Sequence, residues 1–192
     1  MCRLARTAAT IAVFLASAAG LAADELHVSL VPWQLVEAGE SVDAPLILYW
    51  IPGSPEELRR SELLTSRELT LFSSRCVAMR VVRLDDESRL EKLGVDGELP
   101  AVVLADRSCQ VVGRVEGEEG AVSIAEVEEL VREELDRRAA EAEALLDRAR
   151  ERAEDHDTAA AITIYESVWE ARCVCPRQGR HAKRALKKLA RK

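Results

Sequence analysis

Cys173-Val174-Cys175 is the one closely spaced pair of thiols in this chain. A C-x-C pair can exchange with a disulfide through a mixed-disulfide intermediate, or it can offer two sulfurs to a metal. A tetrahedral site there would have to recruit His181 and find further ligands, and no second Cys/His pair lies near in sequence. No metal and no other cofactor is therefore expected. Cys76 and Cys109 stand far upstream as separate thiols. His27, His156 and His181 are scattered, no Ser/His/Asp arrangement is recognisable, and His156 between Asp155 and Asp157 reads as a turn.

A second place suited to chemistry is the exit of an apolar strand. Pro45-Leu46-Ile47-Leu48-Tyr49-Trp50-Ile51 runs into Pro52-Gly53-Ser54-Pro55-Glu56-Glu57, and a helix-like run starts at Leu58. A buried strand that enters a tight loop and then a helix is where α/β folds place reacting groups. This loop holds no thiol, no histidine and no glycine-rich cradle. Glu56 and Glu57 fall at the helix start, where carboxylates favour the macrodipole.

The surrounding elements follow from periodicity. His27–Val31 is strand-like, and Pro45–Ile51 is apolar throughout, as a strand buried on both faces must be. Leu58–Phe72 reads as one helix, Cys76–Val82 as a strand, and Ser88–Leu93 as a short helix. Pro100 precedes the strand Ala101–Ala105, and Asp106-Arg107-Ser108 turns the chain into Cys109–Val115, a hairpin. Ser123-Ile124-Ala125-Glu126 is a capping box that opens a helix with Ile124, Val127, Leu130, Val131 and Leu135 on one face.

Strand, helix, strand, helix, hairpin, helix is the order of the thioredoxin fold, and particular residues strengthen the likeness. Leu64-Thr65-Ser66-Arg67-Glu68-Leu69 with Val81-Val82-Arg83-Leu84-Asp85 resembles the family's second helix and its following strand. Leu93-Gly94-Val95-Asp96-Gly97-Glu98-Leu99-Pro100-Ala101-Val102-Val103-Leu104-Ala105-Asp106 resembles the segment whose proline is cis and faces the active loop. The resemblance covers roughly residues 40–137 and implies an α/β, thioredoxin-like three-layer α/β/α sandwich. It also marks a departure. The family's Cys-x-x-Cys would fall at Gly53–Glu56 or Ser54–Glu57, and neither stretch contains cysteine. Dithiol exchange at this loop is thereby excluded.

The last third differs in kind. Arg137–Arg152 is rich in Ala, Glu and Arg, Thr158–Arg172 reads as a second helix, and a third follows Cys173-Val174-Cys175-Pro176 and Gly179. Ala160-Ala161-Ile162 with Tyr165 and a later proline resembles one degenerate tetratricopeptide unit. Such a unit cannot bury its own apolar face, so it must pack on the preceding domain, on another copy or on a partner. The expected division is 1–23, 24–137 and 138–192, with residues 138–192 an α-helical extension.

Residues 1–23 hold Arg3 and Arg6, an apolar run from Thr7 to Leu21, and small residues before Asp24. They read as a secretory signal peptide cleaved after Ala22 or Ala23, with an uncleaved anchor as the alternative. The run is short for a membrane span. A periplasmic or secreted protein is expected, with no transmembrane span after cleavage. Loss of the two arginines moves the net charge from −7 to −9, which argues against nucleic acid as a partner. Cys76, Cys109, Cys173 and Cys175 then permit two disulfides in three pairings. In a thioredoxin-like sheet, Cys76 and Cys109 lie at the pole opposite the loop, where the last helix of the domain delivers the C-terminal hairpin. Cys76 or Cys109 is therefore expected to bond Cys173 or Cys175.

Residues 171–192 hold nine Lys/Arg and no acid, whereas Glu116–Asp136 is acidic. The tail could bind an acidic partner or an anionic surface, be solvated, or pair with the chain's own acidic helix. The expected function is a redox-inactive binding or scaffold module that takes a protein or peptide partner in the cell envelope. Its docking face would be Trp50, Pro52, Gly53, Ser54, Pro55 and Pro100, because the resembled family holds extended peptides there. One alternative is a thiol–disulfide oxidoreductase using Cys173/Cys175 or Cys109. Another is a structural role in envelope assembly, with homo-oligomerisation through the C-terminal helices.

Overall fold

Strand β2 (Leu46–Ile51) has no solvent-exposed side chain, and it forms the centre of the molecule. In the computed structural model, which describes residues 29–37, 39–96, 99–118 and 120–190, five strands form one mixed sheet. β1 (Gln34–Leu35) pairs in parallel with β3 (Val77–Val81), and β3 pairs in parallel with β2. β4 (Ala101–Asp106) runs antiparallel to β2, and β5 (Val111–Glu116) antiparallel to β4. The order is β1-β3-β2-β4-β5.

Alternation along β2 sends its residues to two cores. Leu46, Leu48 and Trp50 face α2 (Arg67–Ser73) and the first half of α4 (Ile124–Glu154); Ile47, Tyr49 and Ile51 face the side carrying Leu90 of α3 (Glu87–Lys92). The N-terminal strand reading needs correction. Ser29–Val31 forms no strand, because the Leu30 and Val31 N–H groups donate to the Leu64 carbonyl (2.8 and 3.1 Å) and staple this segment to a helical turn. His27 and Val28, like the leader 1–23, lie outside the described residues.

The single helix expected over 58–72 is in fact three pieces. α1 (Glu57–Arg60), a 3₁₀ turn (Glu62–Leu64) and α2 are separated by Ser61 and Ser66, both with extended ψ (139° and 124°). Each serine Oγ accepts a backbone N–H two or three residues on, from Leu63 (3.3 Å) and Leu69 (3.0 Å). Serine competes with the helix for its own backbone, so capping wins over propensity here. At the hairpin, Asp106 Oδ1 accepts from Ser108 N (2.8 Å), Ser108 Oγ (2.7 Å) and Gln110 N (3.0 Å), an Asx turn that leaves Cys109 at φ 61°.

The boundary expected at 137/138 falls inside α4, which runs unbroken for 31 residues, about 46 Å. Val127, Val131 and Leu135 before Arg137, and Ala142, Leu146 and Ala149 after it, are buried in one continuous core. α5 (Thr158–Glu170) and α6 (Pro176–Leu189) close on the second half of α4 through Ala161, Tyr165, Val168 and Ala182. The apolar face of the C-terminal hairpin is thus covered within the chain. α6 begins at Pro176, and Gly179 lies inside it, because a Cβ at Gly179 would stand 2.5 Å from the Arg172 Cβ. No helix among the described residues is long and apolar enough to cross a membrane.

α4 ends as the turn at Asp155-His156-Asp157 requires. Asp157 N–H donates to the Arg152 carbonyl (2.9 Å), His156 sits at φ 62°, and the Asp157 side chain then caps α5. This is a Schellman ending with histidine where glycine costs least. His156→Gly should raise stability by about 0.5–1 kcal/mol, read as a higher denaturant midpoint with an unchanged slope.

Candidate functional site

The carboxyl ends of β1, β2 and β3 lie together, since Trp50 pairs with Val81 and Leu35 with Val81 across the sheet. The loop Pro52–Glu56 leaves from this edge. Its conformation is held by one carboxylate: Glu57 Oε1 accepts the Trp50 indole N–H (3.1 Å) and Glu57 Oε2 accepts the Gly53 N–H (2.8 Å). The Glu57 N–H in turn donates to Ser54 Oγ (3.2 Å). Burial pushes the Glu57 carboxyl above its ordinary value, against both hydrogen bonds, which pull it down. Glu56 instead reaches solvent and pairs with Arg60 (3.1 Å). Sequence placed both glutamates at the helix start; that Glu57 ties the loop to the indole is visible only in three dimensions.

Pro100 closes the loop from behind. The Leu99–Pro100 peptide is cis, and a Cβ at Gly53 would stand 3.2 Å from the Pro100 nitrogen. Gly53 thus lets the loop approach Pro100 at a distance that a Cβ would crowd. Of the six residues expected to form a docking face, Trp50, Pro52 and Pro100 are buried, and only Gly53, Ser54 and Pro55 are exposed. Trp50 is withdrawn because its ring packs on Trp33 (5.4 Å between centroids) and its N–H is taken by Glu57. Pro52 and Pro100 are the floor and back wall of the loop rather than its surface.

Three exposed leucines outside the expected face lie beside this loop. Leu35 (55% exposed), Leu58 (39%) and Leu84 (47%) line one apolar groove of about 360 Å³ with Pro52, Pro55 and Val82. Its rim carries Arg83 and Asp85, paired at 2.8 Å, so the groove has no unbalanced charge. No cysteine or histidine is among the residues that line it. Among the described residues, no group of three His, Cys, Asp or Glu side chains is placed to hold a metal ion.

The thiols lie at the other pole. Val77 and Asp106 both pair with Leu46, at the start of β2, so Cys76 and Cys109 sit a full strand length, about 20 Å, from the loop. Cys76 is bonded to Cys173, with Cα atoms 5.8 Å apart. The other two candidates, Cys109 and Cys175, are free, Cys109 exposed and Cys175 buried. Cys173 is therefore not available as the partner of Cys175 in a C-x-C dithiol. Burial pushes the Cys175 thiol above its ordinary value, and Arg75 and Arg138 offset this only in part. A thiol so shifted carries little of the thiolate that attacks disulfides. Cys175 borders an open cleft of about 750 Å³ between the β4–β5 turn and α4, walled by Leu145, Val168 and the arginines 137 and 138.

No protein-family model matches the chain, and no curated protein matches it.

Proposed function

We propose that this chain is an exported, redox-inactive thioredoxin-like module that holds an extended, apolar protein segment at the groove of Leu35, Leu58 and Leu84. The observation that carries this reading is the groove itself. Three leucines stay exposed beside a loop whose backbone is pinned by Glu57 and Pro100, and exposed apolar surface gathered on a rigid frame is the mark of a binding site. The sheet order and the Gly53–Pro100 approach support the thioredoxin-like part. The leader read in residues 1–23 supports export to the periplasm or beyond. The Cys76–Cys173 bond agrees with an oxidising compartment.

The test uses the chain with Leu58→Glu and Leu84→Glu together. Both side chains are partly exposed, so folding should survive, as circular dichroism would verify. Fluorescently labelled reduced, carboxymethylated lactalbumin, a permanently extended chain, serves as probe in an anisotropy titration. The parent should bind it, and the double variant should bind at least about tenfold more weakly, as expected when charge replaces apolar contact. Equal binding by both proteins, or none by the parent, would overturn the reading. A thiol-dependent loss of insulin disulfides that disappears with Cys109→Ser or Cys175→Ser would replace it with an oxidoreductase.

A further inference from the structure

α6 carries Arg177, Arg180, Lys183, Arg184, Lys187 and Lys188, and no acidic residue. At 3.6 residues per turn these six fall in one continuous arc. The opposite arc holds Gly179 and Ala182, both buried, with Ala185, Leu186 and Leu189 packed on the core. Among the described residues, none of the six cations makes a salt bridge. Four of the six arginines of α4 behave differently: Arg132, Arg137, Arg138 and Arg150 each have a carboxylate partner on their own helix. Of the alternatives open for the basic tail, pairing with the chain's acidic helix is not made by these six cations. The fold uses the acids of α4 locally and turns the cations of α6 outward.

We infer that this face of α6 docks on an anionic lipid bilayer. The stripe from Arg177 to Lys188 is straight and about 16 Å long, and a plane of negative headgroups meets all its cations at once. Trp169, half-buried at the end of α5, lies at the edge of the stripe with Arg172 and Lys183 each 4.6 Å from its ring. An indole among cations is the composition of a membrane-interface anchor. A nucleic-acid duplex fits less well. A groove admits a helix that stands proud of its domain, whereas α6 lies flat against α5, on which Glu166 and Glu170 are exposed. The one amide on α6, Gln178, is half-buried. Orientation of the stripe is fixed by the Cys76–Cys173 bond just before α6 and by the contact of Gly179 with Arg172.

The full chain should co-sediment with vesicles of equimolar phosphatidylglycerol and phosphatidylcholine and not with phosphatidylcholine alone. Binding should vanish near 1 M salt, where the screening length is about 3 Å. Reversing Arg177→Glu, Arg184→Glu and Lys188→Glu together, all exposed positions, should weaken it at least about 100-fold, taking about fivefold per basic residue. An unchanged thermal midpoint would show that the variant is folded. Inorganic phosphate at matched ionic strength should not compete. Equal binding to both vesicles, which an apolar N-terminal run would give, overturns the inference, as does failure to bind the anionic ones. Retention of duplex DNA without vesicle binding, competition by phosphate, or an unaffected triple variant overturns it equally.

Discussion

Replacing Cys76 and Cys173 together with serine should lower the unfolding free energy by about 4 kcal/mol. The bond joins residues 97 apart, closing a loop that takes in β3 to α5, and the restriction on the unfolded chain grows with loop length. Both cysteines are changed because a lone Cys173 could pair with Cys175 two residues away. α5 and α6 should stay docked in the variant, since Tyr165, Val168 and Ala182 share the core with α4. The prediction is therefore a lower urea midpoint with helix content retained. The same shift should follow when the parent is treated with reductant, and the double variant should be indifferent to it. Equal midpoints with and without reductant would deny the bond any role in stability.

The second large effect lies at Glu134. Glu134 is 4% exposed, and its carboxylate accepts three hydrogen bonds from an arginine pair: from Arg137 Nε (2.7 Å) and Nη2 (2.7 Å), and from Arg138 Nε (2.6 Å). Arg138 also reaches the Pro45 carbonyl (3.4 Å), tying α4 to the entrance of β2. Burial alone would raise the Glu134 carboxyl, but the hydrogen bonds from Arg137 and then Arg138 hold it below its ordinary value. A depressed carboxyl stabilises the fold above its unfolded value, about 4.3, and that contribution disappears as pH falls through the folded value. Arg137→Met with Arg138→Met strands a buried carboxylate, which should cost about 3 kcal/mol at neutral pH. In the variant the stranded acid takes up a proton more readily, so acid relieves the penalty while it weakens the parent. The stability gap should narrow steadily between pH 7 and 4. A gap independent of pH would mean that lost packing, not the unpaired charge, is responsible.

How much of this was legible beforehand depended on the range over which each signal acts. The apolar run 46–51 announced a central strand because burial on both faces demands it, and Ser123 with Glu126 announced the start of α4 because capping acts within one turn. A turn at His156 was readable for the same reason. Ser61 and Ser66 misled because a serine in an amphipathic run is compatible with helix until its hydroxyl is seen to take a backbone N–H. The change in composition at Arg137 suggested a boundary, yet the apolar stripe crosses it, and packing follows the stripe.

The loop after β2 shows the same limit at the candidate site. Its lack of thiols was plain from residue types, and chemistry that requires a sulfur is excluded without any structure. That Leu84 stays exposed beside the loop was not readable, because exposure of an apolar side chain at a strand exit depends on which neighbours cover it. Likewise, four candidate cysteines were named from sequence, but the choice of Cys76 with Cys173 rests on two Cα atoms brought to 5.8 Å across the sheet and helices.

Residue types and their spacing alone determined β2 to β5, the cap that opens α4, the absence of a reactive pair at the loop and the concentration of positive charge near the end, since each depends on contacts within a few residues. Tertiary packing alone decided which leucines line a groove, which cysteines bond and which cations are left without partners. Those outcomes are set by the meeting of segments up to about a hundred residues apart, for which no local pattern carries a signal.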